Sequence, residues 1–134
     1  MRIVIVGASH LAVRTAAMLI EENHAVIIID RNRDKLNDVA GHLDCGLIHG
    51  DGSRPEILKE ASPEASDCLL CLTDSDQDNI ITSLVGRSLG FPDVITKIED
   101  EAFERICQEI GLKNTIVPSR DVAGRLATIV TGRK

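Results

Sequence analysis

The residues that could bind a phosphate stand in one short run, Gly7-Ala-Ser-His-Leu-Ala12, which separates an apolar segment from an Ala- and Leu-rich one. A dinucleotide-binding turn has the form G-x-G-x-x-G, because glycines let backbone amides at a helix N-terminus approach a pyrophosphate. Here Ser9 takes the second glycine position and Ala12 the third. We expect Ser9 to crowd the phosphate path, although its hydroxyl could donate to a phosphate oxygen. The run alone leaves phosphate binding and a plain structural turn both open.

An acid ends the second apolar segment. Asp30 follows Ala25-Val-Ile-Ile-Ile and lies 23 positions after Gly7, close to the spacing of a ribose-binding acid. Its carboxylate could accept from both ribose hydroxyls, at about 1.5–3 kcal/mol gross for each charge-assisted bond. A helix-capping aspartate is the alternative. Arg31 could accept a ribose 2′-phosphate, but Asp30 would repel one, which favours an unphosphorylated ribose.

Two further loops follow apolar segments. The run His49-Gly-Asp-Gly-Ser53 places an acid between two glycines, as in a tight turn at a ligand-binding sheet edge, although a plain turn with a helix cap stays possible. The run Ser53-Arg-Pro-Glu56 has the pattern of a capping box and predicts a helix start. Asp74, Asp76 and Asp78 lack the glycine and distal glutamate of a calcium loop, so we predict a solvated helix start there.

Apolar segments alternate with helical patterns along the whole chain. Strands that are apolar throughout are buried on both faces, and the helices between them act as crossovers. We therefore predict an α/β fold of Rossmann type, a doubly wound parallel sheet in one domain spanning residues 1–134. The predicted strands are 2–7, 25–30, 46–49, 68–73, 94–98 and 115–117. The first five predicted helices are 11–22, 34–42, 53–61, 76–89 and 101–110. A sixth predicted helix is capped by Ser119 or Asp121 and ends near 130.

Composition excludes several functions. The 134 residues include no Trp and no Tyr, only two Phe, and carry a net charge of −6. The chain therefore lacks the phenol of a Tyr-x-x-x-Lys dehydrogenase and the rings of a single-strand stacking platform. Its negative charge argues against a nucleic-acid partner. No apolar run reaches the roughly 20 residues of a spanning helix, and no signal-peptide pattern is present, so we expect a cytoplasmic protein.

Two of the four cysteines have the spacing of a redox or zinc pair. Cys68 and Cys71 lie in an apolar run that predicts a strand, where positions three apart point to opposite faces. The two thiols would not converge, so we interpret them as buried structural cysteines and expect no metal site.

A set of residues spread along the chain occurs in the same order in one known family. The set comprises Ile3-Val-Ile-Val-Gly7, Asp30, the run His49-Gly-Asp-Gly-Ser-Arg-Pro-Glu-Ile-Leu-Lys-Glu-Ala61, Ser66-Asp67, Thr73-Asp-Ser-Asp76, Asn79 and Val117-Pro118. In these residues the chain resembles the N-terminal nucleotide-binding domain of regulators of potassium conductance, as in Trk- and Ktr-type potassium uptake systems. The resemblance covers essentially the whole chain and implies a six-stranded sheet of order 3-2-1-4-5-6 in three αβα layers.

The resemblance also implies a function. Members of that family bind NAD(H) or ATP/ADP, form dimers and rings at the inner face of the membrane, and control a potassium transporter or channel. We expect a regulatory subunit or domain of that kind, with the sheet edge and the helices after the fourth and fifth strands as the dimer surface. The implied contacts are Gly7, Ala8, Ser9, His10 and Leu11 for the phosphates, Asp30 with Arg31 for the ribose, Asp51 and Gly52 for adenine, Thr73 and Asp74 for the middle of the ligand, and Lys97 for a phosphate.

Some positions depart from the family pattern. Two acidic calcium-ligand positions of channel-type members fall on Leu72 and Lys97, and only Glu99 matches, so calcium binding is not expected. The C-terminal ligand-binding domain common in the family has no counterpart in this sequence, which implies either a fragment or a lone subunit.

Two other functions compete with the regulatory one. An NAD-dependent oxidoreductase fragment would use His10 or His49 near the nucleotide, but 134 residues leave no room for a substrate domain, so we expect no enzyme. A purely structural domain that has lost its ligand through Ser9 is the third possibility.

Overall fold

The computed structural model describes residues 1–133, so the last residue of the predicted 1–134 domain lies outside the described residues. Six strands alternate with six α-helices, as the sequence pattern predicts. The strands are β1 (Arg2–Val6), β2 (Ala25–Asp30), β3 (Gly46–His49), β4 (Cys68–Cys71), β5 (Asp93–Lys97) and β6 (Thr115–Ile116). The helices are α1 (His10–Glu21), α2 (Arg33–Ala40), α3 (Pro55–Leu58), α4 (Asp76–Ser88), α5 (Ala102–Glu109) and α6 (Pro118–Thr131).

The strands form one parallel sheet in the order β3-β2-β1-β4-β5-β6, which confirms the predicted fold class. β1 lies centrally because its residues are apolar on both faces. Ile3 and Ile5 pack with buried residues of α1 and α2 on one side of the sheet. Val4 and Val6 pack with Leu58 of α3 and with the α4 side on the other. The alternation of one strand thus builds the three-layer arrangement.

Successive strands are added in opposite directions on the two sides of β1, with β2 and β3 on one side and β4 to β6 on the other, so the carboxyl ends of β1 and β4 form the switch point where α/β sheets bind ligands. The register brings Val6 level with Ile29 and with Cys71, while Asp30 lies level with His49. The loops after four strands therefore open onto one edge of the sheet.

Two predicted helix caps are wrong. α3 begins at Pro55 after Arg54, without a side-chain cap, because the Ser53 hydroxyl donates to Asp51 instead of capping the helix. The rest of the predicted helix forms a 3₁₀ turn at Lys59–Ala61, and a second 3₁₀ turn follows at Pro63–Ala65. α6 begins at Pro118, so Ser119 and Asp121 lie inside the helix rather than capping it.

The acidic start of α4 is only partly solvated, contrary to the prediction. Asp76 is buried, and its carboxylate accepts from the backbone amides of Glu99 and Asp100 at 2.8 and 2.9 Å. It ties α4 to the loop that follows β5. Among residues 1–133 no cluster of His, Cys, Asp or Glu side chains could hold a metal ion.

The cysteines of β4 point to opposite faces, as predicted. Cys68 is only half-buried, contrary to the prediction, and packs against the α1–α2 side, whereas Cys71 is fully buried on the α3–α4 side; both are free thiols. Desolvation by burial raises the pKa of Cys68 to about 11 and that of Cys71 to about 12, so neither is a reactive thiolate at neutral pH. No helix within residues 1–133 is both long and apolar enough to cross a bilayer.

Candidate functional site

The turn after β1 depends on a glycine. Gly7 has φ +103°, which side chains rarely adopt, and an added Cβ would lie 2.8 Å from the backbone nitrogen of Thr73. Its amide donates to the Ile29 carbonyl at 2.8 Å. The turn is therefore pressed between β2 and the end of β4, at the switch point of the sheet.

Ser9 caps α1 rather than projecting toward a phosphate. Its hydroxyl donates to the Leu72 carbonyl at 2.8 Å and accepts from the Ala12 amide at 3.2 Å. The first intrahelical bond runs from Val13 to the Ser9 carbonyl. The amides of His10 and Leu11 precede that bond, so they belong to the helix-terminal donors that favour an anion.

Asp30 holds the glycine turn in place. One carboxylate oxygen accepts from the Ala8 amide and the other from the Asn32 amide, both at 2.7 Å. The helix cap, which was the alternative role, is supplied by Asn32, whose side chain accepts from the amides of Asp34 and Lys35. Asp30 also lines the cleft, and its carboxylate oxygens keep further lone pairs to which ribose hydroxyls could donate.

The turn after β3 forms the next wall of the cleft. Asp51 accepts from the amide and the hydroxyl of Ser53 at 3.0 and 2.7 Å. Chiefly this hydroxyl bond lowers the pKa of Asp51, with smaller contributions from Arg31 and Arg54, so the group is a carboxylate at neutral pH. A Cβ on Gly52 would lie 2.5 Å from Val6, so only glycine lets the turn approach the end of β1.

Arg31 crosses the mouth of the cleft. Its guanidinium lies 3.1 Å from Asp78 on α4 and 3.7 Å from Asp51 in the opposite wall. The ring of His49 supports this arrangement by donating from Nε2 to the Arg31 carbonyl at 3.0 Å. Its Nδ1 accepts from Arg33 at 3.0 Å, because a guanidinium can only donate.

Asn79 organises the far side of the site, and the sequence did not mark it as a site residue. It is fully buried, and its Oδ1 accepts from the amide and hydroxyl of Thr73 at 2.9 and 2.6 Å. Its Nδ2 donates to the carbonyls of Thr73 and Lys97 at 3.0 and 3.1 Å. An asparagine on the buried face of a helix that begins just after a strand was the available signal.

Lys97 does not reach the cleft. Its side chain is buried, and its ammonium lies 3.4 Å from Glu99. His10 lines a neighbouring groove between α1 and α2, together with Asp74, and Leu11 lines neither space. Asn32, Lys35, Ser53 and Asp78 line the cleft without having been predicted. The predicted residues that the structure brings together there are Gly7, Ala8, Ser9, Asp30, Arg31, Asp51, Gly52, Thr73 and Asp74.

The family follows from a match that runs through all of these loops. The sequence profile of the TrkA-N domain matches residues 3–118, from β1 to the first residue of α6. The chain belongs to the TrkA-N domain family. The match spans every loop that lines the cleft, so the predicted resemblance is confirmed.

This TrkA-N domain is similar to named potassium uptake proteins. It is 27% identical over 134 residues to a Trk system potassium uptake protein TrkA homolog of Methanothermobacter thermautotrophicus, covering 100% of this chain and 62% of that protein. It is 30% identical over 130 residues to Trk system potassium uptake protein TrkA of Halomonas elongata, covering 96% of this chain and 28% of that protein. The chain thus spans from about a quarter to under two thirds of the length of these relatives.

Solved structures share the fold of this TrkA-N domain. The TrkA-N domain of inner membrane protein ybaL from Escherichia coli has a TM-score of 0.86 at 13% identity, covering 96% of this chain and 95% of that one. The GsuK channel bound to NAD has a TM-score of 0.81 at 20% identity, covering 93% and 22%. The AMP-bound Kef CTD of Shewanella denitrificans has a TM-score of 0.81 at 14% identity, covering 100% and 84%.

Proposed function

We propose that this TrkA-N domain binds an adenine nucleotide, NAD(H) or ATP/ADP, and regulates a potassium uptake transporter or channel. The observation that carries the proposal is the 2.7 Å bond between Asp30 and the Ala8 amide, which joins a ribose-binding acid to a glycine turn at the switch point. Relatives named as Trk potassium uptake proteins support the regulatory part. Neighbours bound to NAD, ADP and AMP support the nucleotide.

Each wall of the cleft has a part in this proposal. Asp30 accepts from the ribose, while Asp51 and Gly52 line the adenine end. The amides of His10 and Leu11 would donate to the phosphates from the N-terminus of α1, with Gly7, Ala8 and Ser9 shaping the turn beneath them. Thr73 and Asp74 flank the middle of the ligand, and Lys97 would meet a phosphate after leaving Glu99. Binding would favour whichever arrangement of neighbouring domains holds the nucleotide better.

We further propose that the domain works as a homodimer or larger ring beneath a membrane partner, on the cytoplasmic side. Exposed apolar residues support an interface. On the predicted surface, Ile106 of α5, Ile110 just after α5 and Ile116 of β6 are exposed. α6 buries no residue within the described chain and exposes four more, Val122, Leu126, Ile129 and Val130. Sedimentation equilibrium of the protein and of Leu126→Glu tests whether this face joins copies.

A catalytic role would require a proton-transfer group beside the nucleotide, and we propose that the domain is not an enzyme. Of the two candidate histidines, His49 is engaged with Arg31 and Arg33 outside the cleft. His10 remains the candidate for the alternative, an NAD-dependent oxidoreductase fragment. Incubation of the protein with NADH or NAD and panels of carbonyl compounds and alcohols tests it, because turnover that is lost in His10→Ala would favour the enzyme.

Native mass spectrometry of the purified protein tests the nucleotide directly, and titration calorimetry measures its affinity. Asp30→Asn keeps one acceptor for the turn but loses the charge, and it should weaken nucleotide binding by about 1.5–3 kcal/mol. Asp34→Asn is the matched control, because Asp34 is an exposed acid in the first turn of α2. Circular dichroism confirms that both variants are folded. An unchanged affinity in Asp30→Asn would show that residues other than Asp30 bind the ribose.

A further inference from the structure

Acidic side chains outnumber basic ones in the cleft. Its lining residues include four carboxylates and two cations: Asp30, Asp51, Asp74, Asp78, Arg31 and Lys35. A site built mainly to hold a chain of phosphates would show the opposite balance, because each phosphate adds negative charge. The lining therefore favours a nucleotide with few ionised phosphate oxygens.

The position of Arg31 strengthens this bias. Its guanidinium is the cation that spans the mouth, and it already lies 3.1 Å from Asp78 and 3.7 Å from Asp51. The Asp51 carboxylate is held by its own loop, since it accepts from the amide and hydroxyl of Ser53, and Asp78 is placed by the first turn of α4, where its backbone amide donates to the Ser75 hydroxyl. A phosphate that recruits Arg31 must therefore draw it away from two carboxylates.

The two classes of adenine nucleotide differ in the phosphate charge that they present to Arg31. The diphosphate of NAD(H) is a diester with one ionised oxygen on each phosphorus, and its second nucleoside extends past the phosphates. ATP ends in a phosphate monoester that carries additional charge. Where the lining of the cleft is mainly acidic and its guanidinium is shared between two carboxylates, the additional charge is disfavoured.

We propose that Asp78 is a specificity-determining residue that, by holding Arg31 against Asp51, makes this cleft select the diphosphate diester of NAD(H) over a nucleoside triphosphate. The proposal rests on the proposed nucleotide-binding function and deepens it. Asp78 is not itself a ligand contact in this account, since it acts through Arg31.

Titration calorimetry with NADH and with ATP, both in EDTA so that no magnesium masks the triphosphate, tests the proposal. The readout is the ratio of the two dissociation constants within each variant, which cancels any general loss of stability. The wild-type protein should bind NADH more tightly. Asp78→Asn should narrow the ratio about three- to tenfold, because the side chains are partly exposed and their charges are screened.

Glu109→Gln is the matched control. It removes one negative charge from another exposed carboxylate that pairs with an arginine, Arg105, on α5. It should leave the ratio unchanged. Arg31→Gln supplies the second background, and there Asp78→Asn should have a smaller effect on the ratio, because no guanidinium is left to release.

Equal tightening of both nucleotides by Asp78→Asn would overturn the proposal, as would tighter binding of ATP than of NADH by the wild-type protein. An undiminished effect of Asp78→Asn in the Arg31→Gln background would show that Asp78 acts only as a nearby charge, which also overturns it. These results would leave the nucleotide-binding function standing. Absence of binding by either nucleotide would instead refute the proposed function.

Discussion

Replacement of Asn79 by alanine is expected to destabilise the domain more than any change of an exposed residue. Asn79 is fully buried and makes four hydrogen bonds to Thr73 and Lys97, which stand at the ends of β4 and β5. Alanine removes every partner at once. It leaves the amide and hydroxyl of Thr73 and the carbonyls of Thr73 and Lys97 without their Asn79 partner.

The magnitude follows from those groups. A buried polar group left unsatisfied costs about 1–3 kcal/mol. The amide of Thr73, a half-buried residue, can recover water. The carbonyls of Thr73 and Lys97 instead lose the Asn79 side-chain amide, which is their donor, on the buried side of the site. We therefore expect the free energy of unfolding to fall by about 3–5 kcal/mol, a large part of the about 5–15 kcal/mol of a typical domain. At about 3 °C per kcal/mol, Tm should fall by roughly 9–15 °C.

Urea unfolding followed by circular dichroism measures the effect. The matched control is Asn37→Ala, because Asn37 is an exposed asparagine within α2, and its change should stay within about 0.5 kcal/mol. Asn79→Asp adds an independent test. It keeps the acceptor but turns a carboxylate toward two carbonyls, so its folded-state pKa should be raised.

The pH dependence of Asn79→Asp has a definite sign. A raised pKa in the folded state means that the charge penalty is absent below the unfolded pKa of about 3.9 and grows as the pH rises above it. The gap in unfolding free energy between this variant and wild type should therefore narrow on acidification. A loss below about 1 kcal/mol in Asn79→Ala would refute the reasoning, because it would mean that water replaces the side chain.

Three further outcomes are expected. Gly7→Ala should lower the free energy of unfolding by at least about 1 kcal/mol in urea titration, because of its positive φ and the 2.8 Å approach to Thr73; an unchanged midpoint would contradict this. Cys71 should resist thiol reagents at pH 8 in the native state, since burial raises its pKa to about 12, and rapid labelling would contradict its burial. The hydroxyl of Ser53 is the main cause of the lowered pKa of Asp51, so Ser53→Ala should destabilise the protein at neutral pH. That loss should shrink as the pH falls through the folded-state pKa of Asp51, and a pH-independent loss would be the contrary result.

The fold was predictable because its cause is local and repeated. The runs of β1, β2 and β4 are apolar on both faces, and helices separate them. This pattern requires a parallel sheet whose two faces are both covered by helices. The opposite directions of Cys68 and Cys71 follow from strand geometry alone. The strand order came from the family resemblance, since periodicity does not say which strands are neighbours.

The helix caps were less predictable, because capping depends on which hydrogen-bond partner lies nearest to the side chain. Ser53 has the sequence of a capping residue, yet Asp51 lies two positions away and takes its hydroxyl at 2.7 Å. The sequence pattern predicts a solvated acid at Asp76, but the loop after β5 brings the amides of Glu99 and Asp100 to its carboxylate. For Ser53 a competing local side-chain bond displaced the capping preference, and for Asp76 a contact from a distant part of the chain displaced the local preference.

The sequence by itself determined that this chain forms one α/β sheet, with a glycine turn and an acid at the edge where its strands end. It could do so because burial patterns and tight turns depend on residues that are close in sequence. Only the tertiary structure decided which side chains meet across that edge. Arg31 and Asp51 belong to the loops after β2 and β3, Asp78 belongs to α4, and only the packing of these elements around the sheet brings both carboxylates within 4 Å of the guanidinium. Asn79 likewise gains its partners only when β4 and β5 lie side by side.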